Sequence, residues 1–72
     1  MKIQKTDYRD CDDPTTTIIE AVSIAAQVQE DLAELAEELE GDLTPTSGET
    51  TGDIQWEPGD GGQYTVAEYE AV

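Results

Sequence analysis

The sequence predicts an α+β chain in which one long amphipathic helix packs on a small antiparallel sheet or hairpin. Apolar residues recur at helical spacing through the middle of the chain, and the last third alternates around a glycine-rich turn. The third observation concerns surroundings more than fold. Eighteen acids face three bases, a formal charge of −15 over 72 residues.

Residues 1–12 read as a strand or arm, because Met1, Ile3 and Lys5 alternate with Lys2 and Gln4. Asp13 followed by Pro14 has the form of a helix N-cap with proline at the first helical position, where its missing N–H has no helical use. Thr17 and Glu20, at capping-box spacing, give a competing start. The helix is assigned to 13–41, with Gly41 supplying the left-handed conformation that commonly ends helices. Ile18, Ala21, Ala25, Val28, Leu32, Leu35 and Leu39 follow at alternating steps of three and four, a heptad seam. Residues 42–53, rich in threonine and glycine, read as a linker. Residues 54–56 and 63–72 are strand candidates around a turn at 58–62, which gives a hairpin over 54–72.

So short a chain is a single domain. It buries only ~60% of its unfolded surface, and a core of this size seldom supplies more than ~3–5 kcal/mol without a staple or a partner. Cys11 is the only cysteine, which rules out an intramolecular disulfide and fits a lone thiol in a reducing compartment. Histidine is absent, so zinc lacks its usual ligand set. Carboxylate pairs abound, but acid–base catalysis needs one tuned by burial or a specific partner. No glycine-rich phosphate loop is present. The expectation is a non-enzymatic protein with no catalytic residue and no cofactor. Two acid clusters, Asp7, Asp10, Asp12 and Asp13, and Asp53, Glu57 and Asp60, do not follow a calcium-loop pattern. They read as cap and turn chemistry, and no metal site is assigned.

Lys2 and Lys5 are followed by no apolar stretch, so no secretory signal is read. The most apolar run, 18–28, is interrupted by Glu20, Ser23 and Gln27 and falls short of the ~20 residues a span requires. A cytoplasmic or virion location is expected.

The seam admits two readings: the chain's own core, or a surface for a protein partner or a second copy. Few other apolar residues remain to cover so long a helix. Val28, Leu32, Leu35 and Leu39, with Trp56 and Tyr64 beside them, are therefore assigned as partner-binding. On the opposite face Glu30, Glu34 and Glu38 are spaced four apart, and Asp31, Glu34 and Glu37 three apart. Each such like-charge pair costs an isolated helix ~0.2–0.5 kcal/mol, and no lysine intervenes.

Two explanations of the acidity follow. In composition the chain resembles proteins of organisms that keep molar salt in the cytoplasm, where the Debye length shrinks to about 3 Å and the repulsion fades. On that reading it is a small structural or accessory subunit of a larger assembly, such as a virion or complex component from a salt-loving host. The alternative is a nucleic-acid-mimicking inhibitor, of the anti-restriction or anti-CRISPR kind, that sets Glu30, Glu34, Glu37 and Glu38 into a basic groove. Neither reading has the chain itself binding nucleic acid or an anionic membrane. The saline reading is favoured because the lack of lysine extends through linker, turn and tail, whereas a mimic need be acidic only where it docks.

Overall fold

Thr15, Thr16, Thr17, Ile18 and Ile19 are consecutive β-branched residues, and they decide the N-terminal half. Such side chains lose rotamer freedom in a helix and suit a pleated strand. In the computed structural model, which describes residues 1–9 and 12–72, Thr15–Glu20 is accordingly strand β2. The lone thiol Cys11 and the acid Asp10 lie outside the described residues. β2 pairs antiparallel with β1, Lys2–Asp7, in a register that sets Ile3 against Ile19 and Lys5 against Thr17.

The helix, α1, spans only Ile24–Glu38. Ser23 caps it, its Oγ accepting from the Ala26 N–H at 3.1 Å. Neither Asp13–Pro14 nor Thr17 starts it: the first precedes β2 and the second lies within it. At the far end Leu39 turns extended and donates its N–H to the Leu35 carbonyl at 2.8 Å. Gly41, at φ 121°, then turns the chain into the next strand, packed so closely on the backbone of Glu57 that a side chain would collide with its carbonyl.

The expected linker is also strand. Asp42–Ser47 forms β3, Thr51–Glu57 forms β4 and Tyr64–Ala71 forms β5. The sheet order is β2-β1-β5-β4-β3, with every pairing antiparallel. A five-stranded antiparallel sheet with one 15-residue helix thus replaces the expected long helix on a small sheet or hairpin. The expectation failed where threonine was concerned, since a polar β-branched residue reads as loop or helix cap until its strand neighbours are known.

α1 leaves one edge of the sheet, β2, and returns at the other, β3, so it must cross a face. It lies over β3, β4 and β5. Gly52 permits the close approach, for a Cβ there would stand 2.8 Å from the Ile24 side chain. The core sits in this layer: Ile24, Val28 and Leu35 from the helix meet Ile3, Ile54, Val66, Ala67 and Tyr69. A register shift beside Ile54 and Gln55 leaves Val66 as an extra residue on β5. It turns Tyr64 to the same face as Trp56, as a bulge does. Among the described residues no helix is long and apolar enough to cross a membrane.

Candidate interaction surfaces

Helix geometry settles where the seam goes. With a repeat of 3.6 residues, Ile24, Val28, Asp31 and Leu35 form the innermost stripe of α1, and these four are its buried residues. Val28 and Leu35 are 0% and 5% exposed, while Leu32 and Leu39 are half-buried against the same core. Ile18 and Ala21, the first two members of the predicted seam, precede the helix. Most of the seam is consumed by the chain's own sheet.

Asp31 is the member of the stripe that hydropathy alone would not place there. Its Oδ2 accepts from the Tyr69 hydroxyl at 2.6 Å and pairs with Lys5 Nζ at 3.0 Å; its Oδ1 accepts from Gln27 Nε2 at 3.0 Å. At 6% exposure such a carboxylate needs these partners, because an unpaired buried charge costs several kcal/mol. Burial, reinforced by the Asp31 hydrogen bond and charge, pushes the Tyr69 phenol far above its ordinary range.

A second polar tie lies one turn along. Arg9 holds Asp7 through Nε and Nη2, at 2.9 and 2.6 Å, and reaches across to Glu38 and, at 3.9 Å, Glu34 on the helix. Burial pushes the Asp7 carboxyl up, but Arg9's hydrogen bonds and charge outweigh it and hold the group below the ordinary carboxylate value. Two of the three bases are thereby turned to fastening α1 onto β1. Lys2 stands on the opposite face of the sheet, across from Glu20.

Trp56 and Tyr64 come together at the end of the sheet near the helix C-terminus, their ring centroids 6.0 Å apart. Trp56 Nε1 donates to the Glu40 carbonyl at 2.8 Å, and the Tyr64 hydroxyl to Asp60 at 3.1 Å. Tyr64 stays half exposed and, with Tyr8, Pro58 and Val66, lines a shallow apolar hollow. The acids Glu30, Glu34, Glu37 and Glu38 all face solvent on α1, but Arg9 occupies part of the row. Across the uncovered face of the sheet runs a second acidic row, with Glu68 directly opposite Asp53. Like charges so placed destabilise a sheet pair. Glu68 also raises the Tyr8 phenol through a hydrogen bond. Among the described residues no group of three or more potential ligands is placed to hold a metal ion.

The two edges of the sheet went unread in the sequence, and they differ. In an antiparallel ladder alternate residues point their N–H and C=O at the neighbour. Met1 and Ala21 exchange both bonds, at 2.7 and 3.0 Å. The register therefore turns Ile19, Thr17 and Thr15 toward β1, and directs the backbone groups of Thr16, Ile18 and Glu20 outward. At the other edge the Gly48 N–H bonds to the Thr51 carbonyl at 2.7 Å, which by the same alternation turns Leu43, Pro45 and Ser47 outward. Pro45 carries no N–H, so β3 is interrupted as a template at its centre; proline on an edge strand is a common guard against pairing with another chain. β2 has no such guard. It also lies beyond the helix, with every residue exposed except the half-buried Ile19.

Comparison with known proteins adds no family: no protein-family profile, curated protein or solved structure matches the chain.

Proposed function

We propose that this chain is a non-enzymatic acidic subunit that joins a protein partner within a larger assembly in a salt-rich setting, such as a virion or complex of a salt-loving host. The observation that carries the reading is the β1–β2 wing. β2 is open along its outer edge and exposed at every residue but the half-buried Ile19, and from Thr15 to Ile19 it bears no charge. β-Branched surface of this kind, held out past the helix, suits contact with another chain. The charge distribution supports the setting: Lys5 and Arg9 are engaged with carboxylates of the fold, leaving the outer surface almost wholly acidic.

The test is retrieval of the assembly from native lysate by the tagged chain across a KCl series, with its components identified by mass. Retrieval that strengthens toward molar salt and is lost on Thr17→Lys, but not on Glu34→Gln/Glu38→Gln, is the expected outcome. Retrieval that weakens steeply with salt, is competed by duplex DNA and is lost in the double glutamine variant would sink this reading and promote the nucleic-acid-mimicking inhibitor.

A further inference from the structure

We infer that the partner at the β2 edge is a second copy of this chain, joined through a two-fold axis beside Ile18 to make one continuous ten-stranded antiparallel sheet. The inference rests on the reading of the β1–β2 wing as the contact surface and adds the occupant and the register.

The register follows from the backbone. A two-fold axis perpendicular to the sheet keeps both helices on one face and pairs each residue with one on the same face. Only residues whose backbone groups point outward form hydrogen-bonded pairs across the new ladder, and these are Thr16, Ile18 and Glu20. Centring the axis on Ile18 uses all three. Ile18 then exchanges both bonds with its symmetry mate, and Thr16 exchanges both with Glu20 of the other copy, for about six hydrogen bonds in all. Shifting the axis by one residue to Thr17 pairs Thr16 with Ile18 but sets Glu20 against Pro14, which precedes β2 and has no N–H, so only about four bonds fall within the strand. The favoured register also sets the two Ile18 side chains side by side on the uncovered face, where each is 54% exposed in the single chain. Thr17 lies against Ile19 on the helix face. Apolar and β-branched cross-strand pairs of this kind stabilise a sheet.

Charge selects the occupant. A basic strand would be drawn to the carboxylates that cover the rest of the molecule, and the stretch from Thr15 to Ile19 offers it none. A second copy at −15 is repelled everywhere except along such a stretch. The single acid in the contact, Glu20, has Lys2 directly across on β1. Space allows the approach as well, since α1 lies over β3, β4 and β5 and leaves Thr15 and Thr17 exposed on the helix face of β2. A contact one strand long is at the small end for protein interfaces, and both partners are strongly acidic, so association is weak and rises with salt.

The purified full chain is examined by sedimentation equilibrium up to about 1 mM, in dilute buffer and in about 2 M KCl. The weight-average mass is expected to climb from 7.8 kDa toward twice that value in high salt. Ile18→Pro removes an N–H that β1 does not use, and should hold the chain at monomer mass with its circular dichroism unchanged. In a Cys11→Ser background, Ile18→Cys should crosslink under mild oxidation, because paired Cα atoms about 5.5 Å apart fall within disulfide reach. Thr16→Cys should not, its symmetry mate being roughly 14 Å along the strand. A chain that stays monomeric at high salt, a dimer that survives Ile18→Pro, or crosslinking through Thr16→Cys instead of Ile18→Cys overturns the proposal. A monomeric purified chain that still retrieves a different protein from lysate overturns the homodimer alone and leaves the proposed function standing.

Discussion

The β3 side and the β2 side of the sheet are held by different forces. Under β3, β4 and β5 the helix presses Ile24, Val28 and Leu35 into an apolar layer, and Pro45 interrupts the outer edge. Toward β1 and β2 the apolar layer thins to Ile3 and the half-buried Ile19, and ion pairs join it: Lys5 to Asp31, and Arg9 to Asp7 and Glu38. Beyond that tie β2 is exposed at every residue but Ile19. A helix about 10 Å across covers two strands spaced ~4.8 Å apart, or three at an angle. One helix on five strands therefore leaves a margin. This chain fills the boundary with fixed charge pairs and leaves the stretch from Thr15 to Ile19 beyond it uncharged and β-branched. Most of the apolar core lies on one side of the sheet, and the unguarded edge strand on the other.

The largest effect should come from breaking the covered side. Leu35→Asp sets an unpaired carboxylate into the apolar layer, a cost this small domain has little margin to absorb. The monomer is expected to unfold at every salt concentration, with loss of the helical circular dichroism signal. Leu35→Ala should cost about 2–5 kcal/mol by denaturant titration. A folded Leu35→Asp monomer that merely fails to associate would return the seam to the partner-binding role first read for it.

Next comes the ionic boundary. Asp31→Ala leaves Lys5 and the Tyr69 hydroxyl facing each other without the carboxylate, and breaking one side of a buried pair typically costs ~3–5 kcal/mol. The same cluster predicts alkaline sensitivity. The folded state raises the Tyr69 phenol above its ordinary value of about 10. Its contribution is therefore complete below pH 10 and is lost as pH climbs from there toward the folded value, because the unfolded chain releases the proton first. Tyr69→Phe should lower stability at neutral pH and flatten the decline above pH 10. An unaltered alkaline slope in Tyr69→Phe would show that the sensitivity arises elsewhere.

Which parts of this were legible in the sequence follows from the range of the signals. Residues 54–56 and 63–72 alternate, and they lie in β4 and β5 apart from Gln63 and Val72. The helix is legible from Ile24 to Glu38, where strong helix formers and apolar spacing agree. Its start was not. Ile18 and Ala21 continue the three–four spacing by coincidence, and the run of β-branched residues from Thr15 to Ile19 outweighs it. Asp31 read as one of a row of mutually repelling acids, yet it follows Val28 by three and precedes Leu35 by four, which places it on the inner stripe. The chain's only bases lie in its first nine residues, so a buried Asp31 implied β1 beneath the helix. The edges are different in kind. Whether Ile18 or Pro45 points its backbone outward depends on register, which becomes readable only once the strands are paired.

The smallest expected effect on the single chain, and the sharpest test of the contrast, is Pro45→Thr. Threonine suits a strand, and at the half-buried Pro45 the change should shift stability by about 1 kcal/mol or less. What changes is the template. With an N–H restored at 45, the outward groups of Leu43, the new residue and Ser47 form an unbroken row, able to pair with another β3 about its own two-fold axis. A chain with two competent edges no longer closes as a dimer; each copy can pair on both sides, and alternating two-folds extend the sheet without limit. Sedimentation in about 2 M KCl should show species well above twice the chain mass for Pro45→Thr. The double variant Ile18→Pro/Pro45→Thr, left with one open edge, should stop at the dimer. If Pro45→Thr sediments as the unaltered chain does, the β3 edge is guarded by something other than the missing N–H, with the overlying helix and Asp42 the groups beside it. If it polymerises, one proline on one edge is what separates a chain that pairs from a chain that forms fibres.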